Sequence, residues 1–481
     1  MASKNGQHAS VEMDGSEQFI RSNGSNGAVP YTNGNGSHTN GATAPTNGSR
    51  PKERPQLRGW RATGLLRFAH VVGWGMKVPD GVLTNFDLEA IVDTTDEWIR
   101  KGTGIRERRI ASERESVVTL GFEAARLALA RADVLPSELE LIIVATSTPE
   151  DVYPSSASKI QNLLGATRAG AFDLSAACSG FVYALNMAVQ AIRSGSIDTA
   201  IVIGSEVNTR VLDWSDRSTC ILFGDGAGAI VLQGRDTPGG MLSCILGSDG
   251  SGAELLGIPS IGRAVQPDSH LLNKIHMNGR EVFRFATHIM NESIKEAVAK
   301  AGLSLLDIAL IVPHQANQRI IHAAARDLKV PESLFYSNIE RYGNTSAASI
   351  PIALCEAEHD KRIKPNDNIV LVGFGGGLTW GAAVIQWQVV PQKAPQGLAF
   401  RLSESRREAE YILAFWRGRF MTRYRRIEAL IAGSPTKVDG KNGKTGKGDK
   451  SDKTDKGRDW RNPEGTPPER VAERDRDKTL P

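Results

Sequence analysis

Cysteine, aromatic residues and excess charge of one sign are all scarce in this sequence. Its 481 residues include 4 cysteines, and 6% of its residues are Phe, Trp or Tyr. The cysteines lie far apart, at positions 178, 220, 244 and 355, and form no C-x-x-C pair or Cys/His cluster. This spacing predicts neither a disulfide framework nor a metal site, and it fits a reducing cytoplasm.

Strong net charge and long apolar runs are absent as well. The formal net charge is +4, and most of the basic excess falls near the C-terminus. We therefore expect no nucleic-acid site in the body of the protein. No apolar run approaches the roughly 18–20 residues that a membrane-spanning helix requires. Together these absences predict a cytoplasmic globular protein.

The two ends of the chain have compositions typical of disordered segments. Residues 1–62 are rich in Gly, Asn and Ser, and they contain seven Asn-Gly dipeptides. Such a segment buries too little apolar surface to fold, and it lacks the apolar stretch of a secretory signal. Residues 434–481 form a Lys-rich tail that is also expected to be disordered.

Residues 63–392 alternate buried apolar strands with amphipathic helices, which is typical of an α/β protein. Residues 139–145 and 199–204 have the continuous apolar character of strands buried on both faces. Residues 116–132 have the spacing of an amphipathic helix. Residues 220–234 are expected to form two strands separated by a glycine-rich turn.

The second half of this region repeats the first. Residues 132–143 align with residues 301–312, and residues 223–232 align with residues 374–385. Two matches in the same order indicate a duplicated α/β unit. The predicted halves are residues 63–237 and 238–392, and we expect a functional site between them.

Residues 393–433 differ from the rest of the chain because aromatic and aliphatic residues alternate there with eight arginines. The pattern predicts a basic amphipathic helix. Two interpretations stay open. The helix could pack on its own domain, or residues 401–431 could contact an acidic partner or an anionic membrane surface.

Cys178 stands between a short strand and a segment with helical spacing. Phe181, Leu185, Ala188 and Ile192 would share one face of that helix. The unpaired N–H groups and the dipole at a helix N-terminus can lower the pKa of a thiol. Small neighbouring residues leave room for a substrate, although a buried structural cysteine is the alternative.

Three further stretches carry chemistry. His314 follows the predicted strand 308–312, at the sheet edge where open α/β sheets place their sites. Asn344 precedes small residues that open a helix, so its amide can face a cleft or cap the helix. The glycine-rich run 373–381 opens no helix and so is not a dinucleotide fingerprint, but its bare N–H groups suit an oxyanion hole.

In combination, the motifs A-A-C-S-G-F, V-P-H-Q-A-N, G-N-T-S-A-A-S and F-G-G-G-x-T-W-G resemble those of β-ketoacyl-acyl-carrier-protein synthase III, in the thiolase-like superfamily. The resemblance covers essentially all of residues 63–392. It implies a duplicated thiolase-like fold with αβαβα layers and a homodimer. It also implies a catalytic triad of Cys178, His314 and Asn344, and no cofactor, because acyl-CoA is a substrate.

The resemblance further implies a fatty-acid-initiating acyltransferase. Such an enzyme joins an acyl-CoA, usually acetyl-CoA, to malonyl-acyl carrier protein by decarboxylative Claisen condensation through an acyl-cysteine. One alternative is a starter-unit synthase or acyltransferase for a polyketide or specialised lipid. Another is a non-catalytic scaffold, associated with a carrier protein or a membrane, although the retention of the whole triad argues against it.

Roles for surrounding residues follow from the same resemblance. The N–H groups of Cys178 and Gly376 would form the oxyanion hole. Trp98 and Arg217 would sandwich the CoA adenine. Phe223 would line the tunnel, and Asn317 would orient water or pantetheine. Tyr153 would close the acyl pocket of the partner subunit. The residues implied in carrier-protein docking are Arg284, Arg319 and Arg326.

Gly102 is a departure from the family pattern. The family usually has an arginine immediately before Thr-Gly-Ile and uses it to stack on adenine. In this chain Arg100 or Lys101 would have to compensate, and a flexible lysine stacks poorly. The departure leaves open weaker CoA binding or a different acyl donor.

Overall fold

The computed structural model describes residues 67–264, 270–388 and 398–431. The predicted disordered ends, residues 1–62 and 434–481, lie outside the described residues. Strands and helices alternate along the described chain, as the sequence predicts for an α/β protein.

The strands are β1 (Phe68–Lys77), β2 (Gly81–Thr84), β3 (Glu107–Ile110), β4 (Leu141–Ala145), β5 (Gly170–Leu174), β6 (Thr199–Val207), β7 (Asp225–Arg235), β8 (Gly240–Ser248), β9 (Leu256–Gly257), β10 (His276–Met277), β11 (Ile308–Pro313), β12 (Asn368–Gly375) and β13 (Thr379–Gln386). The helices are α1 (Asn85–Glu89), α2 (Asp96–Thr103), α3 (Val117–Ala132), α4 (Ser156–Leu164), α5 (Gly180–Arg193), α6 (Arg217–Cys220), α7 (Gly279–Lys300), α8 (Gln318–Leu328), α9 (Ile339–Tyr342), α10 (Ser349–His359) and α11 (Leu398–Ile431).

Two mixed sheets share one topology. The first has the order β1-β7-β6-β4-β5 and the second the order β11-β12-β13-β8. When β8, β13, β12 and β11 are matched to β1, β7, β6 and β4, every neighbouring pair runs in the same relative direction. The counterpart of β5 is a single parallel bridge between Ile311 and Phe335. The duplicated fold is therefore confirmed, and we propose 237/238, between β7 and β8, as the boundary of the halves.

The two sheets enclose a central helical layer. Helices α5 and α10 share one core with strands of both sheets, in which Phe181 of α5 is fully buried. Helices α3 and α4 cover the far face of the first sheet, and α7 and α8 cover the far face of the second. The order of layers is αβαβα, which places the ends of the central helices between the halves.

Polar capping residues mark where two helices of the first half begin. The predicted helix 116–132 is α3, and the Ser116 side chain accepts the N–H of Thr119 as its N-cap. Helix α4 begins after Ser155, which accepts the N–H of Ser158. These polar residues end the preceding loops because their side chains satisfy N–H groups that the first helical turn leaves unpaired.

The prediction for residues 220–234 is wrong. The structure has one continuous strand, β7, in place of two strands and a turn. The glycines lie inside this strand because α10 packs directly on it. A Cβ at Gly228 would lie 2.7 Å from the side chain of Pro351, and one at Gly226 would lie 2.8 Å from that of Ile352. These glycines permit close packing of a helix on a sheet.

The predicted basic helix of residues 393–433 is observed as α11, which packs on the first half. Tyr411 meets Phe122 of α3 edge-on, with ring centroids 6.1 Å apart. Arg407 is buried and pairs with Asp133 at 2.6 Å. The interpretation that this helix packs on its own domain is therefore confirmed. Of the helices that the structure describes, none is long and apolar enough to cross a membrane.

Gly204 of β6 sets how closely the two halves approach. A Cβ at this position would lie 2.3 Å from the carbonyl oxygen of Ala347, in the turn that precedes α10. We predict that Gly204→Ala destabilises the protein by about 3 kcal/mol, because backbone atoms must move to relieve the overlap. Urea denaturation followed by circular dichroism measures the change.

Gly250→Ala is the matched control, since a Cβ at Gly250 would meet no atom within 4 Å. Its midpoint should stay within the experimental scatter of the wild type. Equal midpoints for the Gly204 and Gly250 variants would contradict the close approach described.

Candidate active site

Cys178 lies at the N-terminal end of the central helix, as the sequence predicts. It occupies the 3₁₀ turn Ala177–Ser179, which joins β5 to α5, and it is buried. Bonds to the second half anchor this turn. The Ser179 hydroxyl donates to Thr379 Oγ1 over 2.8 Å, and the Thr379 hydroxyl donates to the carbonyl oxygen of Gly376 over 2.9 Å.

Gly375, at the end of β12, lies directly against Cys178. A Cβ at Gly375 would be 2.7 Å from the Cys178 backbone nitrogen and 3.0 Å from its Cβ, so a larger residue does not fit. Bare backbone at such a distance is what an oxyanion hole requires. The assignment of the second N–H donor to Gly376 stays a prediction.

The electrostatics of Cys178 differ from the expectation of a lowered pKa. Burial raises the pKa of the Cys178 thiol to about 12, and the nearby Glu206 carboxylate acts in the same direction. A hydrogen bond with Ser346 lowers the pKa, as does the Cys178 backbone, but to a smaller extent. Desolvation of the buried thiolate is the largest of these effects. Burial therefore favours the neutral thiol of Cys178.

Glu206, on β6, is a fully buried carboxyl group behind Cys178. Its oxygens accept hydrogen bonds from the Thr148 hydroxyl at 2.6 Å, the Ser147 N–H at 3.0 Å and the Ser346 hydroxyl at 2.9 Å. Burial raises the pKa of Glu206. Ser346 thereby links the two groups, since it donates its hydroxyl to Glu206 and also interacts with the Cys178 sulfur.

His314 follows β11 and is almost fully buried. Its Nδ1 lies 2.6 Å from Ser349 Oγ, and the Gln315 N–H donates to the same oxygen. We assign the tautomer in which the Ser349 hydroxyl donates to Nδ1 and the ring proton lies on Nε2. Burial lowers the pKa of His314 to about 3, so the ring is neutral near pH 7.

Asn344 is held by a turn at Gly343, whose φ of 61° suits glycine. Its backbone N–H donates to the Leu222 carbonyl oxygen over 2.8 Å. Its side-chain Oδ1 accepts the N–H of Ser346 over 2.8 Å, within the turn that leads into α10. Asn344 is not the N-cap, because Thr345 precedes the 3₁₀ turn Ser346–Ala348 and Ala348 precedes α10. The Nδ2 group remains as a donor.

One pocket brings the three predicted residues of the triad together. Aromatic and aliphatic side chains form most of its wall, and few polar groups face it. The lining residues are Cys178, Leu222, Phe223, Leu256, Met277, Gly279, Val282, Phe283, His314, Ala316, Asn317, Ile320, Asn344, Phe374 and Gly375. An apolar pocket with a few convergent polar groups is typical of a site that binds a small organic substrate.

Trp98 and Arg217 lie together near the surface, with the Arg217 guanidinium 5.0 Å from the centre of the Trp98 ring. They touch each other directly, so an adenine would have to displace Arg217 to enter between them. Asn317 donates its side-chain N–H to the Gly102 carbonyl oxygen over 3.1 Å. This bond joins the pocket wall to helix α2, which carries Trp98 and Gly102.

Tyr153 does not line the pocket of its own protomer, because it lies in an exposed loop before α4 and is 85% exposed. Its predicted role concerns the pocket of a partner subunit and stays a prediction. Arg284 on α7 and Arg319 and Arg326 on the adjacent α8 are all exposed. Arg319 lies over the ring of Phe283, a pocket residue, with 5.6 Å to its centroid.

The residues that support the predicted triad by hydrogen bonds were not among the residues predicted from the sequence. Glu206, Ser346, Ser349 and Thr379 hold it by hydrogen bonds. Ser346 and Ser349 stand within the motif around Asn344, where they were interpreted only as small residues. Glu206 gave one usable signal, since it is an isolated carboxylate at the end of an apolar strand.

A buried cysteine at the N-terminus of a central helix, facing a histidine and an asparagine from the second half of a duplicated αβαβα fold, defines a condensing enzyme of the thiolase-like class. Two family models match within the described residues. The model described as 3-oxoacyl-[acyl-carrier-protein (ACP)] synthase III matches residues 172–250, and the model of its C-terminal region matches residues 298–387.

Individual proteins agree with these models. The β-ketoacyl-[acyl-carrier-protein] synthase III of Roseiflexus sp. (strain RS-1) is 50% identical over 327 residues, which cover 67% of this chain and 99% of that protein. The corresponding Symbiobacterium thermophilum protein is 48% identical over 326 residues, with the same two shares. The chain belongs to the β-ketoacyl-acyl-carrier-protein synthase III family.

Solved structures give the same result. The crystal structure of 3-oxoacyl-[acyl-carrier-protein] synthase III from Aquifex aeolicus VF5 is 46% identical and has a TM-score of 0.63, covering 66% of this chain and 100% of that one. The priming β-ketosynthase of the R1128 polyketide biosynthetic pathway is 37% identical, with a TM-score of 0.65, and the match covers 67% of this chain and 97% of that one.

The link from Glu206 through Ser346 predicts the titration of the nucleophile. A carboxylate beside Cys178 disfavours the thiolate, so Glu206→Gln should lower the pKa of the thiol. The rate of Cys178 alkylation by iodoacetamide is measured as a function of pH. The pH at which this rate rises should therefore be lower in the variant than in the wild type. The substitution should also cost about 1–3 kcal/mol of stability, because an amide cannot accept all of the present donors.

Asp225→Asn is the matched control. Asp225 is also a buried carboxyl group, but it bonds the Thr209 hydroxyl and the Ala111 N–H instead of the Cys178 network. It should leave the alkylation profile of Cys178 unchanged. A profile for Glu206→Gln that coincides with the wild type would contradict the link.

Proposed function

We propose that this chain joins acetyl-CoA to malonyl-acyl carrier protein, giving 3-oxoacyl-acyl carrier protein and initiating fatty acid synthesis. The observation that carries the proposal is the convergence of Cys178, His314 and Asn344 on one apolar pocket. Acyl-CoA is a substrate in this reaction, and no cofactor takes part. The two curated synthase III relatives described above are 48% and 50% identical to this chain, compared with 37% for the polyketide priming synthase, which favours the fatty-acid role.

The first half-reaction loads the enzyme. Cys178 attacks the thioester carbonyl, and the N–H groups of Cys178 and Gly376 stabilise the oxyanion. The thiol loses its proton as the carbon–sulfur bond forms, because burial disfavours a free thiolate. CoA leaves with that proton as its free thiol, and the acyl group stays on Cys178.

The second half-reaction forms the carbon–carbon bond. The Nε2–H of His314 and the Nδ2–H of Asn344 donate to the malonyl thioester oxygen and stabilise the enolate as CO2 leaves. The enolate carbon attacks the acyl group on Cys178, and the sulfur departs and regains a proton. A neutral His314 suits this role, because the low pKa of the buried ring leaves Nε2–H as a donor that water does not compete with.

Groups around the pocket complete the proposal. Trp98 and Arg217 bind the adenine of CoA at the entrance, while Phe223 and Asn317 border the pantetheine tunnel. The exposed arginines Arg284, Arg319 and Arg326 meet the acidic carrier protein near that entrance. In a homodimer, Tyr153 of one protomer closes the acyl pocket of its partner. We further propose that the enzyme works in the cytoplasm.

His314→Ala tests the division of labour between the two half-reactions. We expect the variant to acetylate Cys178 at nearly the wild-type rate, because His314 does not act in that step. Decarboxylation of malonyl-acyl carrier protein should fall by at least about a hundredfold, as is usual when a donor to a developing oxyanion is removed. Mass spectrometry of the Cys178 peptide and release of labelled CO2 measure the two steps separately.

His322→Ala is the control, since His322 is an exposed histidine of the neighbouring helix α8. Both of its half-reactions should match the wild type. Undiminished CO2 release by His314→Ala would refute the role proposed for His314.

Gly102 offers a gain-of-function test of CoA binding. A Cβ at Gly102 would meet no atom within 4 Å, so the structure has room for a side chain there. An arginine would restore a planar group able to stack on adenine beside Trp98. We predict that Gly102→Arg lowers the KM for acetyl-CoA by about fivefold or more, with little change in kcat.

Gly102→Ala separates stacking from helix propensity. Either substitution should stabilise α2 by up to about 1 kcal/mol, because glycine is a poor helix former. Only the arginine should lower KM. If alanine and arginine change KM equally, adenine does not bind beside position 102.

A further inference from the structure

Helix α11 has two different faces. The face toward the domain carries Arg407, Tyr411 and Ala414, which contact the first half, and Ala414 is buried. At 100° per residue, the opposite face carries Ile412, Leu413, Trp416 and Phe420. These four side chains, which we name the outer face of α11, are 57%, 67%, 62% and 67% exposed.

The residues of the outer face are not scattered single exposures. Its members recur at spacings of three and four, so they form one continuous stripe along the helix. Tyr424, which is 50% exposed, extends the stripe by a further turn. An exposed apolar stripe with this regularity is typical of a surface that binds something.

Arginines border the stripe on both sides. Arg417 lies along one border, and Arg419 and Arg423 lie along the other. All three are exposed, and within the described part of the chain none of them forms an ion pair. No Asp or Glu occurs between Glu410 and Glu428. This half of the helix therefore presents aromatic residues framed by positive charge.

We propose that the outer face of α11 binds an anionic lipid surface, with the helix lying parallel to that surface. Arginine side chains reach to anionic headgroups, while Trp, Phe and Leu side chains enter the boundary between headgroups and acyl chains. The face toward the domain stays packed on α3, so binding needs no unfolding of the helix. Because the argument uses only contacts and charges of α11, it does not depend on the proposed reaction.

Two other occupants fit these observations less well. A second copy of α11 would bring arginines against arginines, with no carboxylate between residues 411 and 427 to pair with them. An acidic protein would match the charge but leave unexplained the four large apolar side chains that are exposed on the outer face. The lipid surface satisfies both features at once.

The test is co-sedimentation of the full chain with vesicles. One set contains phosphatidylcholine with about 30 mol% phosphatidylglycerol, and the other contains phosphatidylcholine alone. We expect binding to the anionic vesicles only, weakened when the salt rises from about 0.1 M to about 0.5 M. Trp416→Glu/Phe420→Glu and Arg419→Glu/Arg423→Glu should each reduce the bound fraction by about tenfold or more.

Leu306→Glu and Lys295→Glu are the matched controls, because both residues are exposed on the second half, away from α11. They should bind as the wild type does. All variants should condense acetyl-CoA with malonyl-acyl carrier protein at the wild-type rate. If the wild type binds anionic vesicles but does not catalyse this condensation, only the proposed reaction is contradicted.

Three results would overturn the lipid proposal. One is no sedimentation with anionic vesicles. Another is equal binding by the wild type and both α11 variants. The third is a wild type that, without lipid, forms a larger oligomer than Trp416→Glu/Phe420→Glu and ignores vesicles, since a second copy would then cover the outer face.

Discussion

The contact between the Cys178 turn and the glycine loop after β12 is the constraint on which the site depends. A Cβ at Gly375 would lie 2.7 Å from the Cys178 nitrogen, so the two halves meet here backbone to backbone. The Ser179–Thr379 bond holds the same junction. A second close approach, between Gly204 and Ala347, seats the Asn344 turn against β6. The duplicated fold thus places Cys178 of one half in the same pocket as His314 and Asn344 of the other.

Burial governs the chemistry that this junction supports. The same desolvation that keeps His314 neutral also keeps the Cys178 thiol protonated. A neutral imidazole suits a donor to a developing enolate, whereas a protonated thiol must lose its proton during attack. Glu206 acts in the same direction, because its carboxylate lies near the sulfur and disfavours the thiolate. The pocket therefore disfavours charge on these groups at rest, and its donors suit charge that develops only during the reaction.

Local sequence patterns predicted many of the helices and strands well, because residues close together in the sequence determine these elements. The helix predicted over residues 116–132 and the buried strands depend on spacing and propensity within a few residues. The prediction for residues 220–234 was wrong because their glycines are required by the packing of α10, which is distant in sequence. The lowered pKa expected for Cys178 failed for a similar reason, since a helix terminus is visible in sequence but burial is not.

Individual site residues were predicted from the sequence only where they stand in distinctive motifs. Cys178, His314 and Asn344 stand in distinctive motifs, and one pocket contains all three. Glu206 and Ser349 support them from positions whose partners lie far along the chain, which spacing alone does not reveal. Helix α11 was predicted as a basic amphipathic helix, but which face packs on the domain emerged only from its contacts with α3.

The central claim is that Cys178 carries the acyl group between two substrates. The most direct measurement is mass spectrometry of the Cys178 peptide after incubation with acetyl-CoA, and again after addition of malonyl-acyl carrier protein. The account predicts one acetyl group on Cys178 in the first spectrum. In the second, that group should be gone and acetoacetyl-acyl carrier protein should have formed. A Cys178 peptide that stays unmodified while acetoacetyl-acyl carrier protein accumulates would contradict the account.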